Sequence, residues 1–176
     1  MGIQQFSQFP ASQVMPLIRE IFFLSADPKN VSEEPLKNEA FFDKWTSYYF
    51  RNCPEWISLA WEDKKLLGYL MCEPNSSQAL AYYHSRNPSY GLFADQFAEY
   101  PAHLHMNAHP DSRGKGVGTA LVADLVRRLA AIQIPGVHII TSPGQRNADF
   151  YRRNDFIHEV RRDWRGYPLL FMGRKI

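Results

Sequence analysis

The chain has 176 residues, a length that suits one domain with a sizeable core, and its 45% apolar and 22% charged content is ordinary for a soluble globular protein. No run of 18 or more apolar residues is present, which argues against a membrane span. The net charge of +2 is uneven, because residues 1–112 carry eight Lys/Arg and thirteen Asp/Glu whereas residues 113–176 carry twelve and five. A basic C-terminal third suits a polyanionic ligand.

The first part of the chain predicts one strand, two helices and a hairpin. Apolar residues at helical spacing, such as Val14, Ile18 and Phe22, indicate an amphipathic helix with Ser12 as its N-cap. Residues 26–39 read as a loop. The predicted elements are a strand at 3–9, helices at 11–25 and 40–52, and strands at 56–63 and 64–74 that turn near Glu62–Lys65.

Residues 75–100 form a long connection rich in aromatic side chains. A loop of this length inside a compact domain is usually functional or partly helical. Together with residues 25–39, this segment offers aromatic and acidic side chains that suit a cationic amine, a hydrophobic lid or a dimer contact equally well: Tyr82, Tyr83, Tyr90, Glu33, Glu34 and Asp95.

The second part of the chain predicts an alternation of strands and helices. In the strand 102–108, His103, His105 and Asn107 share one face, and apolar residues share the other. The remaining elements are a helix at 117–132, a strand at 137–142, a helix at 144–154 and strands at 156–160 and 169–176. The order β-α-α-β-β-β-α-β-α-β-β predicts a single α/β domain over residues 1–176 with a mixed sheet.

Three glycines lie close together in R-G-K-G-V-G, residues 113–118, between the alternating strand and the long helix. The string lacks the spacing of a Walker A loop, and Thr119 stands where the dinucleotide fingerprint needs its third glycine. Backbone N–H groups at a helix start are unsatisfied donors at the positive end of the helix dipole, so the pattern favours a phosphate-binding loop. A turn that merely joins strand to helix is the alternative.

The segment "HPDSRGKGVGTALV" resembles the cofactor loop of the GNAT superfamily of acyl-CoA N-acyltransferases, with its pattern [QR]-x-x-G-x-[GA] filled by Arg113, Gly116 and Gly118. The downstream "VHIITSPGQRNADFYRRNDF" is similar to the family's next strand and its tyrosine-ending helix. Within the superfamily, "YPAHLHMNAHPD" and "GVHIITSPG" look most like the acetyltransferase-like domain of O-GlcNAcases and its free-standing bacterial relatives.

The resemblance implies a three-layer fold, with a mixed central sheet and helices on both faces, that binds acetyl-CoA. The backbone of Met106, Asn107 and Ala108 would pair with the pantetheine arm, where the strand splays from its parallel neighbour. The pyrophosphate would be held by the loop backbone, and Asn147 would be a further cofactor contact, although Gly144 stands where the family often has asparagine. The loop residues concerned are Arg113, Gly114, Lys115, Gly116, Val117, Gly118 and Thr119.

Tyr151 occupies the family's general-acid position, and a buried helical aromatic is the alternative reading. The strand 102–108 has no carboxylate, so His103 or His105 is the candidate base, with a structural histidine as the alternative for each and Glu73 as a weaker candidate. A zinc site at His103, His105 and His109 is disfavoured because no cysteine or acidic ligand lies nearby in the sequence, and we predict no metal.

The sequence therefore predicts an acetyl-CoA-dependent N-acetyltransferase that acts on a primary amine of a small molecule or protein. The alternative is an acetyl-CoA-binding pseudo-acetyltransferase that serves as a non-catalytic module. Nucleic-acid binding is disfavoured because the C-terminal arginines match no recognised motif. The absence of a signal segment and the apolar surroundings of Cys53 and Cys72 favour a cytoplasmic protein with reduced thiols, and a homodimer stays open.

Overall fold

A computed structural model describes residues 1–28 and 31–176. The part of the predicted 26–39 loop at Lys29 and Asn30 lies outside the described residues. The helices are α1 (Ala11–Ser25), α2 (Pro35–Asn52), α3 (Ser76–Arg86), α4 (Val117–Ala131) and α5 (Arg146–Arg152), and the strands are β1 (Gly2–Gln5), β2 (Ile57–Glu62), β3 (Lys65–Glu73), β4 (Ala102–Ala108), β5 (Gly136–Thr141), β6 (His158–Trp164) and β7 (Tyr167–Lys175).

Seven strands form one mixed sheet in the order β1-β2-β3-β4-β5-β7-β6. The β1–β2, β2–β3, β5–β7 and β6–β7 pairs are antiparallel, whereas β4 and β5 run parallel with Ala102 opposite Val137 and His103 opposite His138. The predicted mixed α/β fold is therefore confirmed. No helix among the described residues has the length and apolar character needed to cross a membrane.

The backbone contacts divide the chain into two compact units. The first unit comprises Met1–Cys72 and His105–Leu125, and the second comprises Glu73–Leu104 and Val126–Ile176. In the first unit, the β2–β3 hairpin turns as predicted, with Asp63 and Lys64 at φ +45° and +67° and Glu62 opposite Lys65. In the same unit, the ring of Phe22 in α1 lies 6.1 Å from that of His105 in β4, and Gly68 of β3 lies against Val117 at the start of α4.

In the second unit, the aromatic ring of Tyr100 lies across the β5–β7 pair. A side chain at Gly136 or Gly173 would place its Cβ 2.8 Å and 2.7 Å, respectively, from the Tyr100 ring. Glycine is therefore required at both positions for the ring to lie this close to the strands. The same ring stacks on His158 at 4.9 Å between centroids.

Several predicted boundaries were wrong in the first unit. The first strand ends at Gln5 rather than at residue 9, because the Gln8 side chain accepts a hydrogen bond from the Gln5 backbone N–H and starts a 3₁₀ turn. The helix α1 has its predicted bounds, Ala11–Ser25, but Ser12 lies inside the helix and does not cap it, because Pro10 is at the N-cap position. The second helix begins at Pro35, five residues before the predicted start at residue 40, since proline is favoured in the first helical turn.

In the second unit, the long connection contains a helix that the predicted order omitted. The side chain of Asn75 caps α3 by accepting from the Gln78 N–H, and a 3₁₀ segment follows at Pro88–Gln96. The last hairpin is longer than the predicted strands 156–160 and 169–176, and its tight turn uses positive φ at Arg165 (+53°) and Gly166 (+85°). Two successive positive φ angles match the twist of paired strands.

Candidate active site

The glycine loop lies in the first unit, and its conformation depends on glycine. Gly114 and Gly116 have φ angles of +76° and +79°, in the region that side chains disfavour. A Cβ at either position would meet no atom within 4 Å, so open space surrounds the backbone there. The loop residues 113–116 are exposed, and Val117, the first residue of α4, is buried.

The first backbone N–H groups at the start of α4 donate to nothing in the described part of the chain. Ala120 N–H donates to the Gly116 carbonyl at 2.9 Å, but the amides of Gly116, Val117, Gly118 and Thr119 find no acceptor among the described residues. The exposed cations Arg113 and Lys115 form no ion pair with the described part of the chain. Successive free amides at a helix N-terminus beside two cations fit a pyrophosphate group.

The segment before the loop is fixed to β3. The Ser112 hydroxyl donates to the Leu67 carbonyl at 2.9 Å and also lies 2.7 Å from the His109 carbonyl, while His109 N–H donates to the same Leu67 carbonyl at 2.8 Å. Next along β3, a Cβ on Gly68 would lie 3.0 Å from the Asn107 carbonyl and 3.1 Å from Val117 Cγ1. Gly68 thus lets β3, β4 and the start of α4 pack closely.

The predicted pantetheine-binding residues form the end of β4. Met106, Asn107 and Ala108 are all half-buried. The Ala108 carbonyl accepts a hydrogen bond from the Ser25 hydroxyl at 3.2 Å. A carbonyl has two lone pairs, so this bond leaves the Ala108 oxygen able to accept another.

Tyr69 connects the polar residues of β4 in the first unit. Its hydroxyl accepts a hydrogen bond from the Asn107 amide nitrogen at 2.8 Å and lies 3.3 Å from Nε2 of His105. The same amide nitrogen lies 3.4 Å from His105 Nε2. The rings of Tyr69 and Phe22 lie 5.9 Å and 6.1 Å from the imidazole. We refer to Tyr69, His105 and Asn107 as the polar trio.

Burial determines the charge of the polar trio. It lowers the pKa of His105 from 6.5 to about 4, so the imidazole is neutral at neutral pH. Burial also raises the pKa of Tyr69 above its ordinary value, against a smaller opposing effect of the Asn107 hydrogen bond. The phenol therefore keeps its proton, and no member of the trio is charged at neutral pH.

Tyr151 and Asn147 lie in the second unit on α5. The Tyr151 ring is buried between Phe150 and Phe156, with both centroids at 5.2 Å, and burial raises the pKa of its hydroxyl. That hydroxyl has no hydrogen-bond partner among the described residues, although it is not one of the fully enclosed polar atoms. Asn147 is exposed, and its carbonyl oxygen accepts from the Thr141 hydroxyl at 3.0 Å.

His103 lies in an aromatic cluster of the second unit rather than in the polar trio. Its ring is edge-on to Tyr83 and Tyr90 at 5.9 Å and 5.2 Å, and it lies 5.2 Å from the ring of His138. His138 is fully buried, and its Nδ1 lies 2.6 Å from the Tyr100 carbonyl. Within the described residues, no group of three or more His, Cys, Asp or Glu side chains could hold a metal ion.

Two of the three acidic residues considered for a cationic amine, Asp95 and Glu34, are engaged, and so is Glu73, the weaker candidate base. Asp95 forms a two-point ion pair with Arg162 at 2.6 Å and 2.7 Å, and this pairing lowers the pKa of the carboxyl. Glu34 pairs with Lys37 at 2.6 Å. Glu73 is buried, and its carboxylate accepts from the Asn75 N–H at 2.7 Å. These contacts reduce the negative charge that each residue offers to a ligand.

Sequence reasoning missed Tyr69. It lies within a nearly continuous apolar stretch of β3, where a tyrosine reads as a core residue, and nothing local signals that its hydroxyl meets β4. The predicted strand 102–108 contained part of the signal, because its polar face needs polar partners wherever it is buried.

A family model described as the acetyltransferase (GNAT) family matches residues 16–156. The chain belongs to this family. Similar solved structures include SsHAT (TM-score 0.74, 20% identity, covering 99% of this chain and 97% of that one) and a ribosomal-protein-alanine N-acetyltransferase from Brucella melitensis (0.63, 16%, 100% of both). An agmatine N-acetyltransferase is also similar (0.62, 15%, 99% of both). At these identities, the structural likeness supports the GNAT fold.

Proposed function

We propose that this GNAT protein transfers an acetyl group from acetyl-CoA to a primary amine. The observation that carries the proposal is the run of backbone amides at Gly116–Thr119, at the N-terminus of α4, which find no acceptor among the described residues and lie beside the cations Arg113 and Lys115. Such donors suit the pyrophosphate of CoA. Two structural neighbours are named for acetylation of alanine and of agmatine, and both names imply an amine acceptor.

The remaining cofactor contacts follow from the family resemblance. The backbone of Met106, Asn107 and Ala108 would pair with the pantetheine arm as an added strand would, and the second lone pair of the Ala108 carbonyl is suited to this. The Asn147 amide nitrogen is a further proposed contact. When bound, acetyl-CoA supplies the activated thioester carbonyl.

Tyr151 is the proposed general acid. Its hydroxyl stays protonated because burial raises its pKa, and no described residue competes for its hydrogen bond. A phenol with a raised pKa donates a hydrogen bond to a developing thiolate more readily than it gives up its proton completely, since a thiol has a pKa near ~8.5. Tyr151 would therefore stabilise the leaving sulfur by hydrogen bonding as the carbon–sulfur bond breaks.

His103 and His105 are the proposed candidates for taking the proton of the acceptor amine, directly or through water. The two differ in environment. His105 is a weak base, since burial lowers its pKa to about 4. His103 lies among the rings of Tyr83, Tyr90 and His138. Burial therefore makes His105 the weaker candidate for this role, and His103 stays the other candidate.

The second candidate function is a non-catalytic acetyl-CoA-binding module. The observation that favours it is the absence of a carboxylate on β4, together with the engagement of Asp95 and Glu34 in ion pairs. Such a module would use the same loop, so binding of acetyl-CoA does not separate the two functions. Catalytic turnover does.

The test is acetylation of a panel of amines by the full chain, followed as release of free CoA thiol. We expect at least one amine to raise thiol release above hydrolysis, and Tyr151→Phe to lower kcat by about 10- to 100-fold while leaving acetyl-CoA affinity within about threefold. Phe150→Tyr, which keeps an aromatic ring at the neighbouring position, is the control. Binding without turnover on any amine, unchanged by Tyr151→Phe, would establish the module instead.

A further inference from the structure

We propose that Tyr69 and Asn107 hold His105 in the tautomer that carries its proton on Nδ1, and that this N–H donates a hydrogen bond to a carbonyl oxygen beside the acceptor amine. The inference rests on the proposed acetyl transfer and names the class of acceptor: an α-amino carbonyl compound such as an amino-acid amide or a peptide N-terminus. Tyr69 and Asn107 act as positioning residues, and His105 contacts the substrate.

The tautomer follows from the hydrogen bonds available to the Tyr69 hydroxyl. The phenol oxygen already accepts from the Asn107 amide nitrogen, so its own proton must be donated elsewhere. Tyr69 is fully buried, and its only other polar neighbour among the described residues is His105 Nε2 at 3.3 Å. A buried hydroxyl proton without an acceptor is costly, so Nε2 accepts it and carries no proton of its own.

The remaining ring nitrogen of His105 then presents a donor. A neutral imidazole has one N–H, and with Nε2 acting as acceptor this N–H is at Nδ1. Nδ1 bonds to none of the described residues and is not one of the fully enclosed polar atoms without a partner, and the His105 side chain is only partly buried. The Nδ1 side of this partly buried imidazole therefore offers an N–H to a ligand.

The surroundings of His105 suit an uncharged oxygen. The rings of Phe22 and Tyr69 flank the imidazole, and within the first unit the nearby cation Arg19 lies over Phe23 and Phe42 at 4.9 Å and 5.6 Å while paired with Glu39. No carboxylate in the described part of this unit forms an ion pair or a hydrogen bond with the imidazole. A neutral N–H between aromatic walls favours a carbonyl oxygen over an ammonium group.

The position of His105 in β4 places this donor next to the proposed acetyl-binding backbone. His105 directly precedes Met106, and one residue of a strand spans roughly 3.3 Å. In an α-amino carbonyl compound, one carbon separates the amine nitrogen from the carbonyl group. The carbonyl oxygen therefore lies a short distance from the reacting nitrogen, as the His105 donor lies a short distance from the proposed acetyl-binding backbone. His105 would thereby orient the amine without accepting its proton.

The chemistry of the amine agrees with a histidine that is not the base. An α-amino group has a pKa near ~7.8 against ~10.4 for an alkylamine such as a lysine side chain, so at pH 7.5 roughly a third of the former and about one in a thousand of the latter is neutral. An acceptor that is already largely neutral needs little help from a base before its nitrogen attacks the thioester carbon and the carbon–sulfur bond breaks.

The tautomer is tested by ¹⁵N NMR of the full chain labelled at histidine, with His105→Gln used to assign the His105 signals. We expect a protonated Nδ1 and an unprotonated Nε2 at pH 7, and a shift toward Nε2–H in Tyr69→Phe. Tyr167→Phe, at an exposed tyrosine of the second unit, should leave the signals unchanged. A protonated Nε2 in the wild type, or an unchanged tautomer in a folded Tyr69→Phe protein, would overturn the assignment.

The substrate class is tested with alaninamide and sec-butylamine, which differ in the carbonyl group. For the wild type, we expect kcat/KM, corrected for the neutral amine fraction, to be about tenfold higher for alaninamide than for sec-butylamine. This ratio should fall to about one in His105→Ala. It should largely persist in His105→Gln, which keeps an N–H donor. If both variants lowered kcat/KM equally for the two amines and also changed the acid limb of the pH profile, His105 would be acting as a base and the inference would be overturned. Equal use of the two amines by the wild type would also overturn it. Transfer to neither amine nor to any other would contradict the proposed function itself, whereas the NMR measurement decides the tautomer independently.

Discussion

The hydroxyl oxygen of Tyr69 lies 3.3 Å from Nε2 of His105, within a strand pair that also brings in the Asn107 amide. Tyr69→Phe would remove the hydroxyl and leave the Asn107 donor and the imidazole nitrogen without this partner inside the fold. We predict a loss of about 1–2 kcal/mol in the free energy of unfolding, measured by urea denaturation. Tyr167→Phe, at a tyrosine that is 72% exposed, should change it by less than about 0.5 kcal/mol. Equal stability of the two variants would mean that the polar trio contributes nothing to the fold.

We predict that a side chain introduced at Gly68 destabilises the protein. In Gly68→Ala, the new Cβ would lie 3.0 Å from the Asn107 carbonyl and 3.2 Å from Ala108 Cα, so β3 and β4 would have to shift apart. We expect a loss of about 1–3 kcal/mol, seen as a lower Tm. The control is Gly2→Ala, where a Cβ meets nothing within 4 Å. An unchanged Tm in Gly68→Ala would show that the strands are less closely packed than described.

Because neutral His138 is buried, we predict that the free energy of unfolding falls in mild acid. Burial lowers its pKa from 6.5 to about 4, and its ring stacks on Phe97 and Phe171 and lies 5.2 Å from His103. The unfolded chain therefore binds more protons than the folded chain between these pH values. Stability contributed by neutral His138 is complete above pH 6.5 and is lost as the pH falls toward 4, by up to about 3 kcal/mol.

The measurement for His138 is the free energy of unfolding by urea at several pH values between 4 and 7.5. His138→Phe should flatten this dependence, whereas His84→Asn, at an exposed histidine, should not. His105 contributes a slope of the same sign, because burial also lowers its pKa to about 4, so the flattening should be partial. A pH dependence identical in wild type and His138→Phe would contradict the prediction.

Gly116 provides a test, by charge alone, of the proposal that the glycine loop binds the cofactor. Gly116→Asp and Gly116→Asn introduce side chains of nearly the same shape, and both residues tolerate the positive φ of +79° better than other side chains do. A carboxylate beside the free amides would repel a pyrophosphate, so we expect acetyl-CoA to bind at least tenfold more weakly to the Asp variant than to the Asn variant in titration calorimetry. Equal affinities would mean that the loop does not hold the phosphate.

Local sequence signals predicted the elements that depend on local chemistry. The alternation of 102–108 gave β4 with its observed bounds, Ala102–Ala108, and the glycine loop with the apolar run behind it gave α4 to within one residue. The Asp63–Lys64 turn followed from the polar break between two apolar strands. In each case, the interactions that stabilise the element join residues that are close together in the sequence.

Features that depend on contacts between distant segments were not predicted. The face shared by His103 and His105 suggested one site, but His105 meets Tyr69, 36 residues away, whereas His103 meets Tyr83 and Tyr90 in the second unit. The helix α3 was missed because its capping residue, Asn75, follows a strand that reads as continuing into a loop. Strand periodicity determines which side chains share a face, but not what packs against each of them.

The most direct measurement follows acetyl-CoA labelled with ¹³C at the acetyl carbonyl in a mixture with the full chain and an amine. The amine to use is the one that releases most thiol in the panel. ¹³C NMR should show the thioester carbonyl signal replaced by that of an N-acetyl amide, with one free CoA thiol for each amide formed. Persistence of the thioester signal with this amine, or its conversion to acetate alone, would contradict the proposal that this GNAT protein is an N-acetyltransferase.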